Sequence, residues 1–158
     1  MGGLRPLGRT FSLCAASVKN LLVFEMIKSS PKTAAKHRLI LQLDALARQR
    51  CFWRDMATVR GAVGSIQMPV CQFCGSSRSP EWAHVFGRRD LSIRWELDNN
   101  LTLCGPGGDN CHQWFDDHKS EALVWFGSCW YDRMNHIREI QQSRVRVDLK
   151  QLLAEMRA

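Results

Sequence analysis

Four cysteines in two pairs constrain the fold of this chain more than any other feature of its sequence. Cys71 and Cys74 form a Cys-x-x-Cys pair, and Cys104 and Cys111 form a second pair further along the chain. Tetrahedral Zn²⁺ takes four thiolate or imidazole ligands, and paired cysteines on tight turns supply them at a small cost in chain entropy. The spacing therefore predicts one structural zinc bound by all four thiols.

The second cysteine pair is more widely spaced than the first. The segment 105–110, which is rich in glycine, separates its two thiols, where the commonest zinc knuckle has two intervening residues. Glycine tolerates left-handed turns, so this loop can fold away and still bring both sulfurs to one metal. The neighbouring His112 is the alternative fourth ligand if Cys111 does not bind. With four thiols on the zinc, His84 and His112 are left for other chemistry.

The order of residues around these cysteines follows a known pattern. The segments that carry it are Trp82–Arg89, Ile93–Asn99, Leu103-Cys104 and Cys111-His112. This order resembles the HNH (His-Me finger) endonucleases of bacteriophages and prophages, and it is similar to the recombination endonucleases of lambda-like phages. The resemblance implies an α+β fold in which a zinc-stapled ββα-metal core is flanked by a long N-terminal helix and by C-terminal helices.

The same resemblance implies an activity and its residues. The activity is metal-dependent hydrolysis of DNA phosphodiester bonds in phage DNA recombination or processing, with Mg²⁺ or another divalent ion beside the structural Zn²⁺. His84 takes the place of the general base, and histidine is the side chain whose ordinary pKa suits that task. Asn99 takes the place of the residue that orients the base or helps to hold the ion. His112 takes the place of a ligand of the catalytic ion.

One departure from the family pattern concerns the catalytic ion. Many HNH nucleases carry a metal-binding residue directly before the base, where this chain has Ala83. The ion then lacks a ligand, and His84 itself becomes a possible ligand. Asp116 and His118 are equal candidates for the vacant place. On a continuous helix Asp116 shares the face of His112, whereas an early helix end would favour His118.

The formal net charge of +7 is concentrated in the first part of the chain. Residues 1–70 contain 11 Lys or Arg and 3 acidic residues, whereas residues 71–158 contain 11 and 12. A basic half suits a polyanion, because neutralised phosphates release counterions. Guanidinium and ammonium groups around the expected site are the predicted DNA contacts. They are Arg88, Arg89, Arg94 and Lys119.

The element pattern predicts a single domain after a basic arm. We expect a poorly ordered arm over residues 1–30, or an extension upstream of a natural start at Met26. The domain over 31–158 divides into a helix over 31–61, the zinc core over 68–122 and helices over 123–158. Within it we expect strands at Met68–Phe73 and Glu81–Phe86, a helix from Cys111 capped by Asp109 or Asn110, and a last helix capped by Asp148.

Composition limits the cellular compartments and partners that we expect for the protein. The longest apolar run, at 21–24, is far too short to span a bilayer, so we expect no membrane partner. We expect a cytoplasmic protein, in the cytoplasm of the host cell if a phage encodes it. Knuckle-like cysteine spacing favours a reducing compartment over disulfides. We expect no small-molecule substrate. The alternative functions are a non-catalytic zinc module that binds DNA or protein, and an RNA nuclease.

Overall fold

The described chain begins with a long helix. The computed structural model describes residues 30–61, 64–143 and 145–158, so the expected arm lies outside the described residues apart from Ser30. Helix α1, Pro31–Arg54, starts at a proline, whose missing N–H costs nothing in the first turn. Leu43, Ala47 and Cys51 recur every four residues and are all buried, so one face of α1 packs on the core.

Helix α1 is shorter than the sequence predicts. A helix over 31–61 is wrong beyond Arg54, because the chain turns at Asp55 and continues as strand β1, Met56–Gly61. β1 contains Thr58 and Val59, whose branched side chains favour the extended backbone. Periodicity on the helix did not reveal this change of structure.

A hairpin follows α1. Strand β2, Gly64–Pro69, pairs antiparallel with β1 in a register that sets Thr58 opposite Gln67 and Val59 opposite Ile66. The strand expected over Met68–Phe73 is wrong in its position, because β2 ends at Pro69 and the chain then turns through the first cysteine pair.

A second antiparallel pair lies at the centre of the fold. Strand β3, Pro80–His84, pairs with strand β4, Asn100–Cys104, which follows a 3-10 turn at Leu97–Asn99. The predicted strand that carries His84 is confirmed, although it ends at His84. The pairing sets His84 opposite Asn100 and Ala83 opposite Leu101.

Four helices complete the described chain. They are α2, Cys111–Asp117; α3, Lys119–Cys129; α4, Tyr131–Ser143; and α5, Leu149–Arg157. The predicted helix start at Cys111 is confirmed, but its expected side-chain cap is wrong. Asn110 precedes α2 in the left-handed region, at φ 56°, and makes no capping hydrogen bond. The predicted cap of α5 is confirmed, because Asp148 accepts hydrogen bonds from the backbone N–H groups of Lys150 and Gln151.

The β3–β4 sheet lies between two apolar clusters. Strand side chains alternate between faces, and Trp82 joins α1 and α5 on one face. Ala83, Leu101 and Leu103 join α2, α3 and α4 on the other. The described residues thus form an α+β fold with five helices and two antiparallel pairs of strands, and Pro31–Ala158 is one compact unit. No helix among the described residues combines the length and apolarity needed to cross a membrane.

Candidate metal centre and active site

The four predicted zinc ligands come together. One sulfur from each of Cys71, Cys74, Cys104 and Cys111 lies within 4.8 Å of the others. The sulfurs of Cys74 and Cys104 are 3.7 Å apart, and three of the four residues are buried. Four cysteines at this separation could hold a metal ion such as zinc. Four thiolates are one of the tetrahedral donor sets of structural zinc sites.

Tight turns bring these thiols into position. Gly75 donates from its backbone N–H to the carbonyl of Cys71 at 2.8 Å and adopts φ 74°, which favours glycine. In the loop before α2, a Cβ at Gly108 would lie 2.7 Å from the Cβ of Cys104 and 3.1 Å from its sulfur. The loop between the second pair therefore needs glycine at 108 to pass beside the thiols.

The thiols of the cluster influence one another's ionisation. Burial raises the pKa of Cys104, but hydrogen bonds from the backbone N–H groups of Cys111 and Asp109 and from neighbouring thiols bring that pKa down to about 7. Burial and the neighbouring sulfurs raise the pKa of Cys111. One thiolate therefore suppresses the ionisation of the next, and a bound divalent cation is the natural way to hold all four as thiolates.

His112 lies beside this cluster on the first turn of α2. Its Nδ1 is 2.7 Å from Oε2 of Glu81 on β3, and its Nε2 is 3.7 Å from Oδ2 of Asp116. The imidazole is largely buried, whereas both carboxylates are more exposed. One ring nitrogen is thus held by a carboxylate and the other faces a second carboxylate at the surface.

Of the two candidates to complete the ion site, the structure brings Asp116 to His112 and places His118 elsewhere. Because α2 continues to Asp117, Asp116 lies one turn beyond His112 on the same face. His118 stacks on Trp114 at 5.5 Å between ring centroids, and its Nδ1 is 3.2 Å from the Trp114 carbonyl.

His84 lies on the other face of β3. Its ring packs on Trp82 at 4.3 Å between centroids, and its Nδ1 accepts a 3.3 Å hydrogen bond from Nε of Arg88. Its Nε2 is buried and has no hydrogen-bond partner among the described residues. Since Glu81 lies three residues earlier and faces α2, the imidazoles of His84 and His112 are on opposite faces of the strand. The structure shows no contact between them.

Burial also determines the charge of His84. Burial, and then the nearby cations of Arg88 and Arg94, lower the pKa of His84 to about 4. The imidazole is therefore neutral at pH 7.

Asn99 is fully buried and holds the loop that follows His84. Its Oδ1 accepts from the N–H of Phe86 at 2.8 Å, and its Nδ2 donates to the carbonyls of Ile93 at 3.0 Å and Phe86 at 3.4 Å. Its own carbonyl accepts from the N–H of Val85. Asn99 thus fixes the backbone on the C-terminal side of His84, and none of these hydrogen bonds involves a histidine ring.

The four side chains predicted to contact DNA differ in their exposure and in the contacts that they already make. Arg88 and Arg89 are exposed. Lys119, the first residue of α3, donates from Nζ to the carbonyl of His84 at 3.2 Å and lies over the Phe115 ring. Arg94 forms two hydrogen bonds with the carboxylate of Asp44 on α1, at 2.9 and 2.7 Å. That guanidinium is already neutralised by a protein partner.

Glu81 is the residue of this site that the sequence analysis missed. It precedes Ala83 by two positions, so the pleat places both side chains on the face that meets α2. A Cβ at Gly105 would overlap the Glu81 carboxylate, so the glycine leaves the space that the carboxylate occupies. The signal was present in the alternation of β3: a carboxylate one pleat before Ala83 reaches the same side of the sheet.

Comparison with protein-family models, with curated proteins and with solved structures finds no match in any of the three.

Proposed function

We propose that this protein is a metal-dependent DNA endonuclease of the HNH type, which acts in phage DNA recombination or processing. The observation that carries the proposal is the position of His112: Glu81 holds one ring nitrogen and the other faces Asp116, directly beside four thiols that can bind zinc. The order of β3, β4 and α2 around those thiols supports it as well.

In this proposal the pair of carboxylates has two different tasks. The Nδ1–H group of His112 donates a hydrogen bond to the carboxylate of Glu81, which fixes the tautomer and leaves Nε2 free as a ligand, as carboxylate partners of metal-binding histidines do. Nε2 of His112 and the Asp116 carboxylate would hold a divalent ion such as Mg²⁺. When bound, that ion would stabilise negative charge on the phosphate and on the leaving oxygen.

The reaction is hydrolysis of a phosphodiester. A water oxygen attacks phosphorus, the bond from phosphorus to the 3′-oxygen breaks, and that oxygen takes up a proton from solvent. The products carry 5′-phosphate and 3′-hydroxyl ends. We assign His84 as the base that takes the proton of the attacking water on Nδ1, since its imidazole is neutral at pH 7 and the hydrogen bond from Arg88 leaves the lone pair on that nitrogen. This role requires Arg88 to release Nδ1, and the ring to turn from Trp82 toward the side of β3 that faces His112, when DNA binds. Catalytic contacts of this kind often form only with substrate present.

Cations near His84 would bind the flanking phosphates. Arg88 and Arg89 are exposed at the turn after β3, and Lys119 lies against the end of that strand. Arg94 has a structural task instead, because Asp44 binds its guanidinium. We therefore expect Arg94→Ala to weaken the packing of α1 on the site, and Arg89→Ala to weaken DNA binding.

Plasmid cleavage tests the proposal. Zinc-loaded wild type should convert supercoiled plasmid to nicked or linear product with Mg²⁺ or Mn²⁺ and not without. His112→Ala and His84→Ala should each lower the rate at least 100-fold while DNA binding is retained. The matched control is His37→Ala, an exposed histidine of α1, which should cleave at the wild-type rate. Wild type that leaves supercoiled, linear, single-stranded and branched DNA intact with every ion would refute the nuclease.

A second function is favoured by one observation. His84 and His112 face opposite sides of β3, as a zinc-stabilised binding module without catalysis would allow. In that case the wild type would bind DNA or protein without cleaving DNA, and His84→Ala would bind as the wild type does. An RNA nuclease is distinguished by offering RNA in the same assay.

A further inference from the structure

The hairpin β1–β2 presents a polar face that the proposed active site does not use. In an antiparallel pair, residues directly opposite each other share a face, so Thr58 and Gln67 lie together, and Arg60 lies with Ser65. All four residues are exposed. Gln67 donates from Nε2 to the Thr58 hydroxyl at 2.5 Å, which leaves its carbonyl oxygen free to accept.

This face continues onto helix α1. Met56 and Pro69, opposite each other at the base of the hairpin, share the face of Thr58 and Gln67. They also line a shallow pocket of about 370 Å³ together with residues of α1 that include Arg48, Gln49 and Trp53. The indole of Trp53 is 64% exposed. We call the combined surface the ribbon face; its members are Arg48, Gln49, Trp53, Thr58, Arg60, Ser65 and Gln67.

Charge identifies the partner of the ribbon face. Residues 31–70 contain seven Lys or Arg and two acidic residues, Asp44 and Asp55. Asp44 is bound by Arg94, and Asp55 is buried and bound by Arg54. The acids of this part of the chain are thus neutralised, whereas Arg48 and Arg60 are exposed on the ribbon face. A surface with cations, amides and hydroxyls and no acid is complementary to a polyanion.

We propose that the ribbon face binds duplex DNA, with the hairpin in the major groove. That groove admits a two-stranded ribbon, and its base edges offer donors and acceptors to residues such as Thr58, Ser65 and Gln67. Arg48 and Arg60 contact phosphates, and Trp53 packs against the sugar backbone. The inference rests on the proposed function in taking DNA as the substrate, and it assigns recognition to a surface separate from the histidines.

The test is DNA binding by the zinc-loaded full chain without added catalytic ion, measured by fluorescence anisotropy on a short labelled duplex. The double variant Arg48→Ala, Arg60→Ala should bind about 10-fold or more weakly near 0.1 M salt, and the slope of log affinity against log salt should fall by about 2. The matched control removes two exposed cations of α4 and α5, Arg138→Ala with Lys150→Ala, and should keep the wild-type slope. Circular dichroism verifies that both variants are folded.

Two further comparisons separate this inference from the proposed function. His112→Ala should bind the duplex as wild type does and fail to cleave, whereas the ribbon variant should cleave when protein is saturating. An RNA duplex should bind more weakly than DNA, because its major groove is too deep and narrow for protein side chains to reach the base edges. Wild-type affinity and slope in the ribbon variant, or equal affinity for the RNA duplex, would overturn the inference even if the protein proves to be a nuclease.

Discussion

His84 shows at the residue scale how burial sets chemistry. Its ring is enclosed by Trp82 and Arg88, so the charged form is penalised and the pKa falls to about 4. The unfolded chain takes up this proton near pH 6.5, the ordinary histidine value, and the folded chain does not. A histidine with a depressed pKa stabilises the fold at neutral pH, and that contribution is lost as the pH falls below 6.5.

The linkage gives a pH prediction. Relative to His84→Gln, wild type should lose about 2 kcal/mol of unfolding free energy between pH 7 and pH 5, because only the unfolded wild type binds a proton at residue 84 in this range. Urea unfolding of both proteins at the two pH values measures the difference. Any loss of zinc at low pH lowers the unfolding free energy of both proteins equally, so it cancels in the difference between them. A difference that does not change with pH would show that His84 titrates normally in the fold.

Among single residues, the sequence predicted those whose spacing determines their arrangement, which are the four cysteines. Four thiols at knuckle spacing have few ways to meet except around a metal, and they do meet. The side of the sheet on which the His84 ring lies was not predictable in the same way, because it depends on how β3 is placed relative to the motif. Glu81 was missed although the alternation of the predicted strand puts its side chain on the face of Ala83, because the contact with His112 depends on how α2 packs against that face.

At the scale of elements, the end of α1 is fastened to β4. Arg54 forms a 2.7 Å ion pair with Asp55 and donates to the carbonyls of Leu97 and Asn100. Asp55 is buried and its carboxylate accepts from the N–H of Thr102 at 2.9 Å. Arg133 of α4 donates to the carbonyl of Asn100 as well. The helix therefore stops where its last charged residues meet the central strand, which periodicity along the helix does not reveal.

Removal of the buried carboxylate tests this joint. Asp55→Ala should lower the unfolding free energy by about 3 kcal/mol, because the guanidinium of Arg54 and the N–H of Thr102 lose their buried partner. Asp132→Ala, at an exposed position in the first turn of α4, is the control and should stay within about 0.5 kcal/mol of wild type. Denaturant unfolding measures both. Equal stability of the two variants would mean that the joint contributes nothing.

At the scale of the whole molecule, the thiol cluster joins three pieces of chain that are distant in sequence. The turn at Cys71, the end of β4 and the start of α2 meet there, and the apolar cluster on the α2 side of the sheet is built around them. The α+β arrangement was predicted from the resemblance to a family whose motif spans this segment, and the described residues do form an α+β fold. The hairpin β1–β2 was not predicted, since it lies outside that segment.

Removal of zinc tests whether a metal bound to the four thiols stabilises this part of the fold. Structural zinc contributes on the order of 10 kcal/mol in small zinc-binding peptides, so a strong chelator should unfold the segment 71–120. Hydrogen exchange should show loss of amide protection across β3, β4 and α2, and removal of Mg²⁺ alone should leave that protection intact. Far-UV circular dichroism and thermal melting that do not respond to zinc stripping would contradict the structural role.

Binding of Mn²⁺ to the zinc-loaded protein, followed by electron paramagnetic resonance, most directly tests the proposed divalent-ion site at His112. Wild type should bind one ion; His112→Ala should lose it, and Glu81→Gln should bind it about 10 to 100-fold more weakly. Asp117→Asn, the neighbouring exposed carboxylate that accepts from Gln113, is the matched control and should bind normally. Equal Mn²⁺ affinity in wild type, His112→Ala and Glu81→Gln would contradict the account.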